Sequence, residues 1–245
     1  MLRRAGLPTK SLNFHEIMAT IGVNLQAVRQ RIADAARACG RDPRDVRLIA
    51  VSKTFGADAV AAANSHGQRA FGENYVREAI EKMDALAGKT VEWHMIGPLQ
   101  SNKTRLVAAR FDWVHSVEGE RIARRLSEQR PANLPALNVL IQVNVSGEAS
   151  KSGVAPGKVL FLAKEIDTLP RLKLRGLMAI PEPGADVDRY RELKNLYEKL
   201  KSEFRFDTLS VGMSDDMETA IAEGSTMVRI GTAIFGARKK IRSAA

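Results

Sequence analysis

Apolar residues follow two different spacings along this chain. Near the beginning they recur at helical spacing, at Ile17, Ile21, Leu25, Val28 and Ile32. Gly40 and Pro43, just beyond, are typical of the end of a helix. The apolar run over 46–53 then predicts a buried strand, so a long helix precedes the first strand.

Strand-like and helix-like segments alternate through the rest of the chain. The predicted strands are 46–53, 69–74, 91–96, 111–117, 137–145, 172–180, 208–213 and 227–231. The predicted helices that follow them are 57–66, 75–86, 102–109, 119–129, 156–167, 187–204, 216–223 and 232–237.

This order predicts an α/β fold: a single-domain (β/α)8 TIM barrel with an extra N-terminal helix. We expect residues 1–15 to form a disordered tail and residues 16–240 to form the barrel. A doubly wound open sheet is the alternative. It would need a glycine-rich first turn, and residues 52–56, SKTFG, do not match G-x-G-x-x-G.

Composition restricts the class of protein. No run approaches the roughly 18 apolar residues of a membrane span, and the single cysteine, Cys39, fits a reducing compartment, so we expect a cytoplasmic protein without membrane contact. The basic tail over 1–15 lacks the apolar core of a secretory signal; an organelle-targeting presequence is the alternative to an untethered tail. The net charge of +10 favours anionic ligands.

Nucleic acid is the other anionic partner that such a charge favours. However, the basic residues are dispersed, apart from the cluster 238–242, which we interpret as a solvated tail. Aromatic residues make up only 5 % of the chain, too few for a base-stacking platform. We therefore expect no nucleic-acid partner.

Lys53 is the principal candidate for chemistry. A lysine at the carboxyl end of a buried strand lies near the low-dielectric core, which lowers the pKa of its ammonium group. Such an amine can form a Schiff base with an aldehyde. In a TIM barrel, this end of the strands carries the active site.

Two loops on the same face are candidates for binding phosphate, which TIM barrels commonly bind after strands seven and eight. Ser214 follows the seventh strand, while Gly231 and Thr232 follow the eighth. Each position predicts a helix start whose backbone N–H groups can meet an anion. Alternatively, Ser214 is an ordinary N-cap, with Asp215 and Glu218 forming a capping box.

Arg229 lies within the otherwise apolar eighth strand. It either forms a structural ion pair or offers donors to a pyridine nitrogen, which would keep that nitrogen unprotonated. Lys53, the phosphate loops and Arg229 together describe a site for pyridoxal 5′-phosphate (PLP). A Schiff-base aldolase acting on a sugar phosphate would use the same lysine and loops, and the spacing does not separate the two.

Several motifs resemble the pyridoxal phosphate homeostasis protein family, single-domain relatives of the alanine racemase barrel. They are AVSKT at 50–54, FGENYV at 71–76, WHMIGPLQSNK at 93–103, QVNV at 142–145, SKSG at 150–153, GLMAIP at 176–181, GMSDDM at 212–217 and VRIGTAIFG at 228–236. Together they extend over 46–236, nearly the whole predicted fold.

The resemblance implies an alanine racemase N-terminal-domain-like barrel with PLP attached to Lys53 as an aldimine. It implies phosphate contacts from Ser214, Gly231 and Thr232, a ring-nitrogen contact from Arg229, and Asn74 near the cofactor. It also implies a PLP carrier in vitamin B6 homeostasis with no established reaction, whose partners would be PLP, other B6 vitamers and PLP-dependent apo-enzymes.

Catalysis is the competing interpretation, as a PLP-dependent amino-acid racemase or a Schiff-base aldolase. In the racemases, a tyrosine from a second domain supplies one of two opposed bases. The present sequence stops soon after the predicted barrel, so we expect no such domain, a monomer, and Lys53 as the sole evident base. We expect Tyr190 and Tyr197 on the outer surface, His94 in the core, and no metal site.

Overall fold

A closed barrel of parallel strands forms the centre of the computed structural model, which describes residues 14–148 and 151–237. The strands of this described part are β1 Arg47–Val51, β2 Ala70–Glu73, β3 Glu92–Met95, β4 Trp113–Val117, β5 Leu137–Gln142, β6 Leu172–Met178, β7 Thr208–Ser210 and β8 Met227–Ile230. They pair in sequence order, and β1 closes the barrel against β8. The predicted fold class is confirmed.

Helices surround the barrel in the described part of the chain. They are α1 Phe14–Ala38, α2 Ala57–Ser65, α3 Val76–Ala85, α4 Thr104–Arg110, α5 Glu120–Gln129, α6 Val159–Asp167, α7 Val187–Phe204, α8 Met217–Ala222 and α9 Thr232–Phe235. The first is the predicted extra helix. It begins at Phe14, inside the tail predicted over 1–15, and residues 1–13 and the cluster 238–242 lie outside the described residues.

Two apolar layers follow from the alternation of side chains along each strand. The outer layer lies between strands and helices and includes Leu48, Ala50 and the buried face of α1. The inner layer fills the barrel with Ile49, Ala70, Trp113, Leu140, Met178 and Met227.

Strands in the structure are shorter than the apolar runs predict. The run over 208–213 gives a strand that ends at Ser210, and the run over 46–53 gives one that ends at Val51. Val211 and Val143 remain buried beyond their strands, so the apolar pattern continues into the loops above the barrel. The candidate site lies among the loops at this end of the barrel.

The expected surface position of Tyr190 and Tyr197 is wrong. Both lie on α7 and are buried, at 3 % and 4 % exposure. They are seven residues apart, so they share the helix face that Leu193 and Leu200 turn towards the barrel. The many charged residues of α7 made this apolar face hard to recognise in the sequence.

No helix in the described ranges is long and apolar enough to cross a membrane.

Candidate cofactor site

A pocket of about 140 Å³ opens at the carboxyl end of the strands, beside the junction of β1 and β8. It is lined by Val51, Lys53, Asn74, Ile96, Ile180, Met213, Ser214, Arg229, Gly231 and Thr232. All six residues predicted for the site are therefore in its wall. Their individual roles stay predictions.

Lys53 lies in a tight turn just after β1 and is half-buried. The amide of Phe55 donates to the carbonyl of Ser52 at 3.0 Å, which closes the turn. Thr54 adopts φ 69°, a left-handed conformation that β-branched residues seldom take. The ring of Phe55 packs against Phe235 of α9, with ring centroids 5.2 Å apart, so the lysine turn contacts the helix that follows β8.

Charged side chains hold the two residues that flank Lys53. The ammonium group of Lys82 donates to the Ser52 carbonyl at 2.8 Å and to Glu73 Oε1 at 2.7 Å. Ser52 Oγ donates to the same Glu73 oxygen at 2.6 Å. Glu78 accepts from Lys82 and from the amide of Thr54, each at 2.6 Å. We call Glu73, Glu78 and Lys82 the lysine-turn clamp.

The clamp lies in a low-dielectric setting. Glu73 is fully buried and Lys82 is 3 % exposed. Burial raises the pKa of the Glu73 carboxyl, and the adjacent Lys82 ammonium opposes that rise. Sequence reasoning missed the clamp because its members come from β2 and α3, and a lysine within a helix gives no signal of its buried partners.

Arg229 sits on β8 at the base of the pocket and is 4 % exposed. Its Nη1 donates to the carbonyl and to Oγ of Ser210, at 2.8 and 2.7 Å, and its Nη2 donates to the carbonyl of Ala179 at 2.9 Å. No carboxylate in the described residues forms an ion pair with it, so the ion-pair alternative fails. Burial lowers the pKa of this guanidinium to about 10, which leaves it charged at neutral pH.

The loop after β7 approaches the pocket closely. Gly212 has φ 102°, and a Cβ there would lie 2.6 Å from the Cβ of Ala220. Met213 and Ser214 follow in the pocket wall. The capping-box alternative for Ser214 is wrong, because α8 begins at Met217 and Asp216 occupies the N-cap position.

Asp216 holds the loop after β7 through both of its carboxylate oxygens. Its Oδ1 accepts from the amide of Met213 at 2.5 Å, and its Oδ2 accepts from the hydroxyl of Tyr190 at 2.6 Å. Burial and this carboxylate raise the pKa of Tyr190, so the phenol stays protonated as a donor. The carboxylate is thus committed to the loop itself.

Gly231 and Thr232 form the corresponding turn after β8. Gly231 occupies the N-cap of α9, and Thr232 is its first residue. A Cβ at Gly231 would lie 3.1 Å from the carbonyl oxygen of Val51. The absence of a side chain therefore keeps the β1 and β8 ends close together.

Asn74 follows β2 and supplies an unsatisfied polar atom. Among the described residues, its Oδ1 is buried and has no hydrogen-bond partner. Gly97 makes room for it, because a Cβ at Gly97 would lie 2.7 Å from the Asn74 backbone. An orphaned acceptor in a pocket wall suits a ligand that carries a donor.

The two buried histidines lie apart from the pocket wall. His94 is fully buried in the barrel, as expected. It pairs with His115, which its sequence spacing does not reveal. No group of side chains suited to a metal ion occurs in 14–148 or 151–237.

The pocket can therefore hold a molecule with three features: an anionic group beside Ser214 and Thr232, an acceptor facing Arg229, and a group that reacts with an amine.

The family model for the alanine racemase N-terminal domain matches residues 23–239 of this chain. A protein of Pseudomonas aeruginosa called pyridoxal phosphate homeostasis protein is 57 % identical over 223 residues, which are 90 % of this chain and 97 % of that protein.

This chain belongs to the pyridoxal phosphate homeostasis protein family. The member from Escherichia coli (strain K12) is 55 % identical over 229 residues, covering 90 % of this chain and 98 % of that protein. The family resemblance of the sequence motifs is confirmed.

Solved structures agree with this assignment. PipY of Synechococcus elongatus PCC7942 is 33 % identical, and 88 % of this chain covers the whole of it. The TM-score is 0.79 for the structure of PipY without PLP and 0.77 for the structure with PLP bound. Alanine racemase from Corynebacterium glutamicum shares the fold, with 16 % identity and a TM-score of 0.66, and this chain covers 63 % of it.

Proposed function

We propose that this protein binds PLP in the pocket of β1 and β8 and acts in vitamin B6 homeostasis as a carrier of that cofactor. The observation that carries the proposal is the convergence of an amine, a buried guanidinium and two hydroxyl-bearing loops on one pocket. The names of the relatives and the PLP-bound structure of PipY support the same ligand.

Each group suits one part of PLP. Lys53 would take the aldehyde as a Schiff base, since its turn holds the amine at the mouth of the pocket. Ser214, Gly231 and Thr232 would hold the phosphate through hydroxyls and the backbone N–H groups of a helix start. Arg229 would donate to the ring nitrogen, and Asn74 would meet a polar ring substituent.

Arg229 also bears on the chemistry that a bound PLP would supply. PLP acts in enzymes as an electron sink when its ring nitrogen is protonated. A guanidinium has donors only, so it keeps that nitrogen an unprotonated acceptor. Racemase or aldolase activity is the alternative, for which the described residues offer no specific observation beyond the shared fold.

The cellular setting extends the proposal. We place the protein in the cytoplasm, since its single cysteine, Cys39, is unpaired and exposed, as suits a reducing compartment. We propose a monomer that takes up PLP, and other B6 vitamers where they retain the aldehyde or phosphate, and that passes PLP to dependent apo-enzymes. Light scattering on the purified protein tests the oligomeric state.

Absorption spectroscopy with borohydride trapping tests the central claim. The protein should turn yellow on addition of PLP, and reduction should fix one PLP mass on the peptide that contains Lys53. Lys53→Ala should abolish covalent attachment. Lys89→Ala, an exposed lysine remote from the pocket wall, should behave as the unmodified chain does.

Two results would contradict the proposal. If the unmodified protein takes up no PLP, PLP is not its ligand. If reduction instead fixes PLP on another lysine, PLP binding stands but Lys53 is not the attachment point.

A further inference from the structure

A row of polar side chains crosses the apolar interior of the barrel. Glu92 and His94 belong to β3, His115 to β4 and Ser210 to β7, and the row ends at Arg229 of β8. The inner apolar layer surrounds it, and the ring of Trp113 stacks on His94 with centroids 5.4 Å apart. His94, His115 and Ser210 have no exposed surface.

Every neighbour in the row lies at hydrogen-bond distance. Glu92 Oε1 lies 2.6 Å from His94 Nε2, and His94 Nδ1 lies 2.9 Å from His115 Nε2. His115 Nδ1 lies 3.0 Å from Ser210 Oγ. Ser210 Oγ accepts from Arg229 Nη1 at 2.7 Å. The row thus joins the amino end of the barrel to the base of the pocket.

The two ends determine the direction of every bond between them. Arg229 can only donate, and an ionised Glu92 can only accept. Burial opposes ionisation of Glu92, but the hydrogen bond from His94 and the guanidinium of Arg47, 2.9 Å away, lower the pKa of its carboxyl below the usual range, so it is ionised. His94 must therefore carry its proton on Nε2.

The remaining protons follow in turn. Burial lowers the pKa of His94 despite Glu92, and it lowers the pKa of His115 well below the usual value, so both rings are neutral. With its proton on Nε2, His94 accepts at Nδ1, so His115 must donate from Nε2. His115 then accepts at Nδ1, and the hydroxyl proton of Ser210 points to it.

The reversed arrangement is costly. If His115 donated to Ser210 from Nδ1, its Nε2 would accept and His94 would donate from Nδ1. A neutral His94 would then set a lone pair against the Glu92 carboxylate at 2.6 Å. A charged His94 would avoid that contact only by placing a cation inside the barrel.

We propose that Glu92, His94, His115 and Ser210 form a hydrogen-bond chain of single polarity that positions the Arg229 guanidinium at the base of the pocket. His115 is the central positioning residue. It accepts the hydrogen bond from the Ser210 hydroxyl, which leaves a lone pair of Ser210 Oγ directed towards Arg229. We call this set the interior chain.

The interior chain determines which donors Arg229 offers to a ligand. Guanidinium carries five N–H bonds. Three of them are directed at Ser210 and Ala179, so at most two N–H groups remain for a ligand. This part of the inference rests on the proposed function, since the ligand group opposite Arg229 is the ring nitrogen of PLP.

Nitrogen-15 NMR of the histidine rings tests the chain in the protein without PLP. At pH 7.5, His94 and His115 should both be neutral tautomers with the proton on Nε2. His66→Asn, at an exposed histidine, assists assignment and should leave both signals unchanged. A proton on Nδ1 of either ring, or an imidazolium at His94, overturns the single polarity.

Ligand binding tests the positioning role. His115→Leu removes the acceptor for Ser210 and should weaken both PLP and pyridoxal about tenfold, since a hydrogen bond to a charged group is disturbed at the ring end. His115→Asn keeps an acceptor near the Nδ1 position and should recover part of that loss. Ser210→Ala gives the same test should His115→Leu fail to fold.

The outcomes separate the two claims. Unchanged affinity in folded His115→Leu or Ser210→Ala overturns the positioning role, and loss of PLP but not pyridoxal binding does so as well. Failure of the unmodified protein to bind PLP contradicts the proposed function, while the NMR result still decides the polarity of the chain.

Discussion

Thr54 and Ser52 show at the residue scale how the turn around Lys53 is held in place. A threonine in a left-handed conformation costs about 1 to 2 kcal/mol relative to ordinary backbone. The hydrogen bonds from Thr54 to Glu78 and between Ser52 and both Glu73 and Lys82 offset that cost. The lysine-turn clamp thereby fixes the backbone on both sides of Lys53.

Lys82→Met should be strongly destabilising. It leaves Glu73 as an unpaired buried carboxylate, and breaking a buried pair in this way costs about 3 to 5 kcal/mol. Urea unfolding should show that loss. Lys82→Met combined with Glu73→Gln should recover part of it, because no buried charge remains.

A surface lysine gives the matched control for this prediction. Lys201→Met removes an exposed ion pair with Glu198 and should change the free energy of unfolding by about 0.5 kcal/mol or less. Equal losses for Lys82→Met and Lys201→Met would show that the clamp carries no special stability.

At the scale of elements, α1 supports both loops assigned to phosphate. Arg31 pairs with Glu218 at 2.7 Å and donates to the carbonyl of Ser214 at 3.3 Å. Asn24 donates to the carbonyl of Ile234 in α9 at 2.9 Å. The extra helix therefore links the turn after β7 to the turn after β8.

Arg31→Ala should weaken PLP binding more than pyridoxal binding. We expect a loss of about threefold for PLP, the size of one exposed charged contact, and little change for pyridoxal, which has no phosphate. Fluorescence titration with each ligand measures the ratio. Arg37→Ala, an exposed arginine of the same helix paired with Asp34, should leave it unchanged. Equal losses of affinity for both ligands would show that α1 does not support phosphate binding.

Element order was predictable from the sequence, but the partners across space were not. Near-continuous apolar strands between amphipathic helices predict a barrel. Arg229 stands out because it interrupts the eighth strand, and Lys53 stands out because it ends the first apolar run. The pairing of Lys82 with Glu73 and of His94 with His115 depends on strand register and helix rotation. A single sequence does not encode either in local spacing.

For the whole molecule, the two buried neutral histidines make stability depend on pH. Their pKa values in the folded state are lower than in the unfolded chain, so unfolding takes up protons below about pH 6.5. Their stabilising contribution is fully present above that pH and is lost as the pH falls towards their folded values.

Urea unfolding between pH 7.5 and pH 5 should reveal this dependence. The free energy of unfolding should fall by up to about 1.4 kcal/mol per pH unit for each of the two histidines. His115→Gln should reduce the slope by one histidine, whatever its effect on absolute stability. His66→Gln, at an exposed histidine outside the barrel interior, is the matched control. Equal slopes in the unmodified protein and both variants would contradict the claim that His115 is buried in its neutral form.

The pocket straddles the seam at which the first strand meets the last, with Ile49 of β1 level with Arg229 of β8. A ribosome must therefore synthesise almost the entire barrel after Lys53 before Arg229 emerges. The nascent chain therefore cannot form its ligand site until β8 has paired with β1. A ligand that contacts both strands would then stabilise this last pairing of the barrel.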